Sequence, residues 1–377
     1  MNRLIIIGNG FDLAHGLKTS YCDFLDDYLK NALDTFYEKD HYDDPLLNLE
    51  NSAVQISYQY PYTSPVDVHC VHKHLADMRS SEFFVVTFKS GLLERSVQKS
   101  HEIRWVDLEN DFFDELLSCL DKTKKIINHA ALATLNNQFG FLKNKLEEYL
   151  LKVQIDEKTF KPDRLIQKIF REKIDSKDIL IKKVSSPTLR KIMFLNFNYT
   201  NTLSKYAERQ VYDETNGQYM IYKDTINHIH GTLASDDNKI VFGFGDEYDE
   251  EYLKFENLKN NDLFRHIKSF AYFKTRNYHD LIRFLNDAEF QVFIIGHSCG
   301  LSDRTMFRKI FEHSNCLSIK VFFHKKQDNS TDYVDKTYEL SRHFTNKGEM
   351  REKIVVEPNS SPLPQYMTEQ SKKSTVK

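Results

Sequence analysis

Four consecutive β-favouring residues near the start of the chain, Leu4-Ile5-Ile6-Ile7, run straight into the turn Gly8-Asn9-Gly10. A run that is apolar at every position lacks the alternation of a half-solvated strand and fits a strand buried on both faces of a parallel sheet. Beyond the turn, Phe11 to His15 opens a helix with Asp12 in its first turn, and Gly16 closes it. Strand, glycine turn and helix follow one another with no room for a hairpin, so the chain opens as an α/β unit.

The same order recurs later. Strand character appears at 191–196, 219–229, 239–242, 290–295, 318–324 and 353–357, with helical patterns at 262–274, 278–287, 303–313 and 333–344. Alternating strands and helices predict an α/β fold with a Rossmann-like, doubly wound, mostly parallel sheet. Between them lie long polar, helix-patterned stretches at 23–36, 106–120, 126–151 and 162–174, which predict a large helical insertion. Within it, 38–65 reads as loop, and 83–88 as a short strand or a buried helical turn. The expected organisation is a discontinuous core of residues 1–25 and 184–357, an insertion of 26–183, and a disordered Ser-, Pro- and Lys-rich tail of 358–377.

Composition narrows the class of function. Lys and Arg total 52 against 55 Asp and Glu, a net charge of −3, which creates no broad field to gather nucleic acid or an anionic membrane. No apolar run approaches the roughly 20 residues that span a bilayer. The cysteines Cys22, Cys70, Cys119, Cys299 and Cys316 are odd in number, scattered and without a C-x-x-C pair, which argues against disulfides or structural zinc and for a reducing cytoplasm. No metal is expected.

Ligands of open α/β sheets bind beyond the carboxyl ends of the strands, and four clusters stand there. Gly8-Asn9-Gly10-Phe11-Asp12 combines glycines with a helix start, a setting that favours anions. Asn196-Phe197-Asn198-Tyr199-Thr200-Asn201 is dense in neutral hydrogen-bonding groups; its structural alternative is a helix cap. In His228-Ile229-His230-Gly231-Thr232 the alternation puts both imidazoles on one side, but two histidines at this spacing without a third ligand make a poor zinc site. Gly296-His297-Ser298-Cys299-Gly300 matches the G-x-S-x-G nucleophile elbow of serine hydrolases, with Asp332 or Asp335 and then His343 following in the right chain order. Against that reading, no oxyanion segment of the His-Gly-Gly-Gly kind is present.

Taken together, these clusters resemble the AbiH abortive-infection family and, more remotely, the sirtuin-type NAD-binding fold. The AbiH likeness spans most of the chain, through Leu4 to Asp12, Gly16-Leu17-Lys18-Thr19-Ser20-Tyr21, Trp105-Val106-Asp107-Leu108-Glu109, Asn196 to Thr200, His230-Gly231-Thr232 and Gly296-His297-Ser298. Against the sirtuin pattern, Gly8-Asn9-Gly10 stands where Gly-Ala-Gly holds a pyrophosphate, Asn198 aligns with the asparagine of the Asn-Ile-Asp or Asn-Tyr-Asp motif, and His230 with the catalytic histidine. The stretch from Val241 through Gly243 to Gly245 resembles the Phe-Phe-Gly-Glu region, and Gly296-His297-Ser298 the Gly-Thr-Ser turn, which makes Ser298 a hydrogen bonder. Thr200 departs from the sirtuin aspartate, and no cysteines supply a zinc module, so a protein deacylase is disfavoured.

The resemblance implies an antiphage effector that hydrolyses NAD, as substrate, to nicotinamide and ADP-ribose. It places Asn198 and His230 as the catalytic pair, with Gly8, Asn9, Gly10, Phe11, Asp12, Tyr199, Thr200, Gly231, Gly243, Gly296, His297 and Ser298 around the nucleotide. The implied partners are NAD or a related nucleotide and a phage-derived trigger, with room for a homo-oligomer and none for a membrane. The competing expectations are a nucleotide-binding sensor without turnover, the serine hydrolase above, and an RNA-directed effector, disfavoured by the acidic balance and the lack of a clustered carboxylate metal site.

Overall fold

The computed structural model describes residues 1–52, 71–103, 107–121, 126–155, 160–182, 188–213, 218–326 and 328–365. They form two compact units, one of Met1–Lys18, Val153–Asp249 and Ile267 onward, the other of Thr19–Lys152 and Glu250–His266. The core segments expected to break at 25 and 184 thus break at 18 and 153, and a short later segment joins the second unit.

The first unit is built on a sheet of six strands: β1 (Asn2–Ile7), β2 (Ile192–Asn196), β3 (Thr225–His228), β4 (Phe290–Ile295), β5 (Cys316–Phe323) and β6 (Ser361–Pro362). Their spatial order is β3-β2-β1-β4-β5-β6, and all five pairings are parallel. Every residue of β1, β2, β4 and β5 is buried, the signature expected of strands covered on both faces. Successive residues of β1 enter opposite cores. Leu4 and Ile6 join Leu195, Val292, Ile294 and Val321 under Phe284 of helix Asn277–Asp287 and Phe307 and Phe311 of helix Arg304–Phe311. Ile5 and Ile7 join Phe194, Phe293 and Ile295 under Phe11, Phe170 and Tyr206. Each fully buried Phe or Leu stabilises this arrangement by roughly 1.5–3 kcal/mol.

Two charged residues lie within the buried strands, Arg3 of β1 and Lys320 of β5. Arg3 is fully buried, its guanidinium 4.0 Å over the Phe293 ring and donating to the Phe170 and Glu172 carbonyls and to Gln291 Oε1. Burial lowers its pKa to about 10, which leaves it charged at neutral pH.

Three sequence expectations are corrected here. Residues 239–242 form no strand: Val241 N–H donates to the His230 carbonyl and Thr232 N–H to that of Asn238, so the segment folds back on the residues after β3, and Ile240, Val241 and Phe242 are buried without a ladder. The stretch 219–229 is two elements, a strand Gln218–Lys223 paired with Glu208–Asp213, and then β3. The last strand is not 353–357 but β6, which pairs with Phe322 and Phe323 inside the stretch expected to be a tail.

In the second unit, strands His41–Asp43, Leu47–Asn51 and Phe84–Phe88 form an antiparallel sheet, which settles the choice at 83–88 in favour of a strand and puts two strands where a loop was expected. Helix Tyr21–Lys39 starts at a reciprocal capping box between Ser20 and Asp23, and helix Leu108–Ser118 at Asp107, whose side chain accepts from Asn110 N–H. Trp105, Val106 and Cys70 lie outside the described residues. Among the described residues no helix is long and apolar enough to cross a membrane.

Candidate functional site

The carboxyl ends of β1, β2 and β4 lie level, because Ile7 pairs with Asn196 on one side and with Ile295 on the other. One step outward, His228 of β3 pairs with Asn196 of β2. Asn198 and His230 each stand two residues beyond that pair, so neighbouring strands deliver them to the same edge. Both are buried, at 7% and 5% exposure. Asn198 Nδ2 donates to the Gly8 carbonyl at 3.1 Å, which ties the β2 and β1 turns together. Phe197 presents its ring edge-on to His230, with centroids 4.8 Å apart, and to His297, at 4.4 Å. Tyr199 stacks over His230 at 6.4 Å while its hydroxyl donates to the Val241 carbonyl.

The two glycine turns interlock. Gly10 N–H donates to the Gly296 carbonyl at 2.7 Å, a side chain on Gly8 would strike His297, and one on Gly10 would strike Gly296. The missing side chains at Gly8 and Gly10 therefore make room for the neighbouring turn. Asn9 is exposed, and Phe11 is a fully buried core residue beside Phe170, Tyr206 and His15. Gly231, in the left-handed region, lies against the Lys239 carbonyl, and Gly243 is buried nearby.

Asp12 is the most costly group at this edge. Its Oδ2 accepts from Thr200 Oγ1 at 2.6 Å, whereas Oδ1 is buried with no partner. Burial pushes the carboxyl from 3.8 up to about 6, against the hydrogen bonds of Thr200, Thr202 and Asn198. A folded-state value above the unfolded one means that the ionised form subtracts stability above pH 6, and that this penalty fades as pH falls from 6 towards 3.8. Asp12→Asn, which keeps an oxygen for Thr200, is accordingly expected to stabilise the protein by about 3 kcal/mol at pH 8 and by about half as much at pH 5. Urea unfolding at both pH values reads this directly; an Asp12→Asn protein less stable than wild type at pH 8 would refute it.

A second set of groups gathers at His230. Its Nε2 lies 3.0 Å from Asp303 Oδ1 and 3.2 Å from the Tyr272 hydroxyl, and Lys268 Nζ is 3.0 Å from the same Asp303 oxygen. Burial alone would raise the Asp303 carboxyl, but the Lys268 ammonium in contact with it outweighs burial and holds it well below the usual carboxylate range. Burial lowers the His230 pKa, Lys268 adds to that, and Asp303 opposes it. At neutral pH the set is an ionised Asp303, a charged Lys268 and a neutral imidazole. Burial also holds His297 down at about 3 and His228 at about 4. Asp303, Lys268 and Tyr272 were not singled out from the sequence.

The serine-hydrolase arrangement is not assembled. His343 Nε2 donates to the Cys299 carbonyl at 2.7 Å with its ring against Phe307 and Phe311, Asp332 Oδ1 accepts from His324 N–H, and Asp335 is exposed. Ser298 itself is half-buried, two residues beyond Gly296. In the second unit, a cavity of about 560 Å³ lined by Ile126, Ile127, His129, Leu258, Asn260 and Asp262 holds none of these groups.

The family model described as bacteriophage abortive infection AbiH matches residues 4–325. The chain belongs to the AbiH family. A role in phage abortive infection follows from that membership, and β1 from Leu4 on, β2 to β5, Asn198, His230 and Asp303 fall within the AbiH span. No curated protein matches this AbiH chain.

Proposed function

We propose that this AbiH protein is an abortive-infection effector that hydrolyses NAD at the carboxyl edge of its parallel sheet. The observation that carries the reading is the register pair His228 with Asn196, which sets His230 and Asn198 side by side beyond adjacent strands. The parallel strand order 3-2-1-4-5-6 supports the reading, since sheets that bind dinucleotides also use this order and hold their ligands where it reverses beside the first strand. The likeness to sirtuin-type sites supports the same ligand.

The chemistry asks little of the protein. Nicotinamide leaves a cationic pyridinium as a neutral molecule, so no general acid is needed, and the site must stabilise an oxocarbenium-like ribosyl centre and direct water to it. In this reading Asn198 positions the ribose or the water, and neutral His230 takes a proton. Asn198→Ala and His230→Ala are each expected to lower nicotinamide release about 10²–10⁴-fold, measured with purified protein alone and with phage-derived components. Folded variants that release nicotinamide as wild type does would overturn the assignment.

The burial of both side chains favours a second reading, a nucleotide sensor that binds without turnover. It predicts ligand-dependent stabilisation, about 2.7 kcal/mol at 100 times the dissociation constant, and no nicotinamide in the same assay.

A further inference from the structure

We infer that Asp303 is the positioning residue of this site: its carboxylate accepts the Nε2 proton of His230, so that Nδ1 presents its lone pair to the ribosyl end of the substrate. The inference rests on the NAD reading for the identity of the substrate, and on geometry alone for the orientation of the ring.

Asp303 occupies the cap position of helix Arg304–Phe311 but makes no side-chain capping bond. Capping by Asp ordinarily stabilises a helix start, and here it is forgone. The side chain turns instead to His230 Nε2 and Lys268 Nζ, both 3.0 Å from Oδ1. Lys268 and Asp303 are 1% and 6% exposed. A buried ion pair of this kind is a poor stabilising device, because desolvating two charges costs about as much as their attraction returns. What it supplies is an ionised acceptor at a fixed point. A carboxylate can only accept, so the nitrogen facing it must carry the hydrogen and the other nitrogen the lone pair.

That orientation completes the reaction. The water oxygen bonds to the anomeric carbon as the bond from that carbon to the nicotinamide nitrogen breaks, its electron pair leaving with nicotinamide. The water proton passes to His230 Nδ1, and the resulting imidazolium is stabilised by Asp303. NAD and water become nicotinamide, ADP-ribose and a proton.

The test reads the tautomer and the rate separately. Nitrogen NMR of histidine-labelled protein, with the His230 signal assigned by its loss in His230→Gln, is expected to show hydrogen on Nε2 and a bare Nδ1 in wild type. Asp303→Asn alone would remove the carboxylate in contact with the buried Lys268 charge, so the double variant Asp303→Asn with Lys268→Met is used, its fold checked by thermal melting. In it the tautomer is expected to shift towards Nδ1–H, and nicotinamide release to fall about 10²–10⁴-fold. A wild-type His230 protonated on Nδ1, or a double variant that keeps the wild-type tautomer, would overturn the inference. If wild type shows the expected tautomer but releases no nicotinamide with any trigger, the orientation stands and the NAD reading falls.

Discussion

Gly296→Ala is expected to leave almost no soluble folded protein. Gly296 has φ +69°, and a β-carbon there would lie 2.1 Å from the Phe11 nitrogen and 2.5 Å from the Gly10 carbonyl carbon. The left-handed backbone alone costs an L residue about 1–2 kcal/mol. The clash adds more, because the atoms met are main chain and cannot turn aside. Relief requires pulling the β4 turn off the β1 turn, which breaks the bond from Gly10 N–H to the Gly296 carbonyl and disturbs the edge on which Asn198 is anchored. The total is expected to exceed about 4 kcal/mol, a large part of the stability of an ordinary domain. Gly140→Ala is the matched control: it lies within helix His129–Val153 with open space around it, and alanine there should stabilise by roughly 0.5–1 kcal/mol. Soluble yield and the thermal midpoint of the two variants decide the matter. A Gly296→Ala protein that melts with wild type would mean that the turns do not interlock.

The interlock shows where sequence reasoning stops. Strands β1, β2, β4 and β5 were legible because burial on both faces leaves them mostly apolar, without the regular alternation of a half-solvated strand. Residues 240–242 are equally apolar and also buried, yet Val241 bonds back to the His230 carbonyl and the run joins no ladder. An apolar run reports burial, not its hydrogen-bond partner. Conversely, Ser361–Pro362 could not be seen at all: two residues carry no period, and a proline is tolerated there because the strand lies at the sheet edge.

The site divides in the same way. Asn198 and His230 were conspicuous as polar residues directly after strands, where an α/β sheet leaves its ligand side open. Asp303 reads from sequence as an ordinary cap before a helix, and Lys268 as one more solvated charge in a polar stretch. Their roles depend on the approach of segments 35 residues apart, which no local pattern encodes. The glycines at 8 and 10 are legible only in part, since glycine signals close approach without naming what approaches.

Acidification should destabilise both units well before the bulk of the carboxylates titrate. Burial lowers His228 to about 4, His297 to about 3 and His266 to about 4. Each folded value lies below the unfolded 6.5, so the stability these neutral rings carry is complete above pH 6.5 and is lost as pH falls towards their folded values. At pH 5 each costs about 2 kcal/mol relative to neutral pH. In the first unit His228 and His297 together cost about 4 kcal/mol, which protonation of Asp12 offsets by about 1. In the second unit His266, edge-on to Phe112 and Phe139 and bonded to the Asn136 carbonyl, accounts for about 2 kcal/mol. Urea midpoints followed by circular dichroism from about pH 7.5 to about pH 5 should therefore fall steeply. A flat profile would show that these rings reach water. The burial that keeps His228 and His297 uncharged also lowers the His230 pKa, which leaves its ring neutral, the form that the proposed chemistry requires.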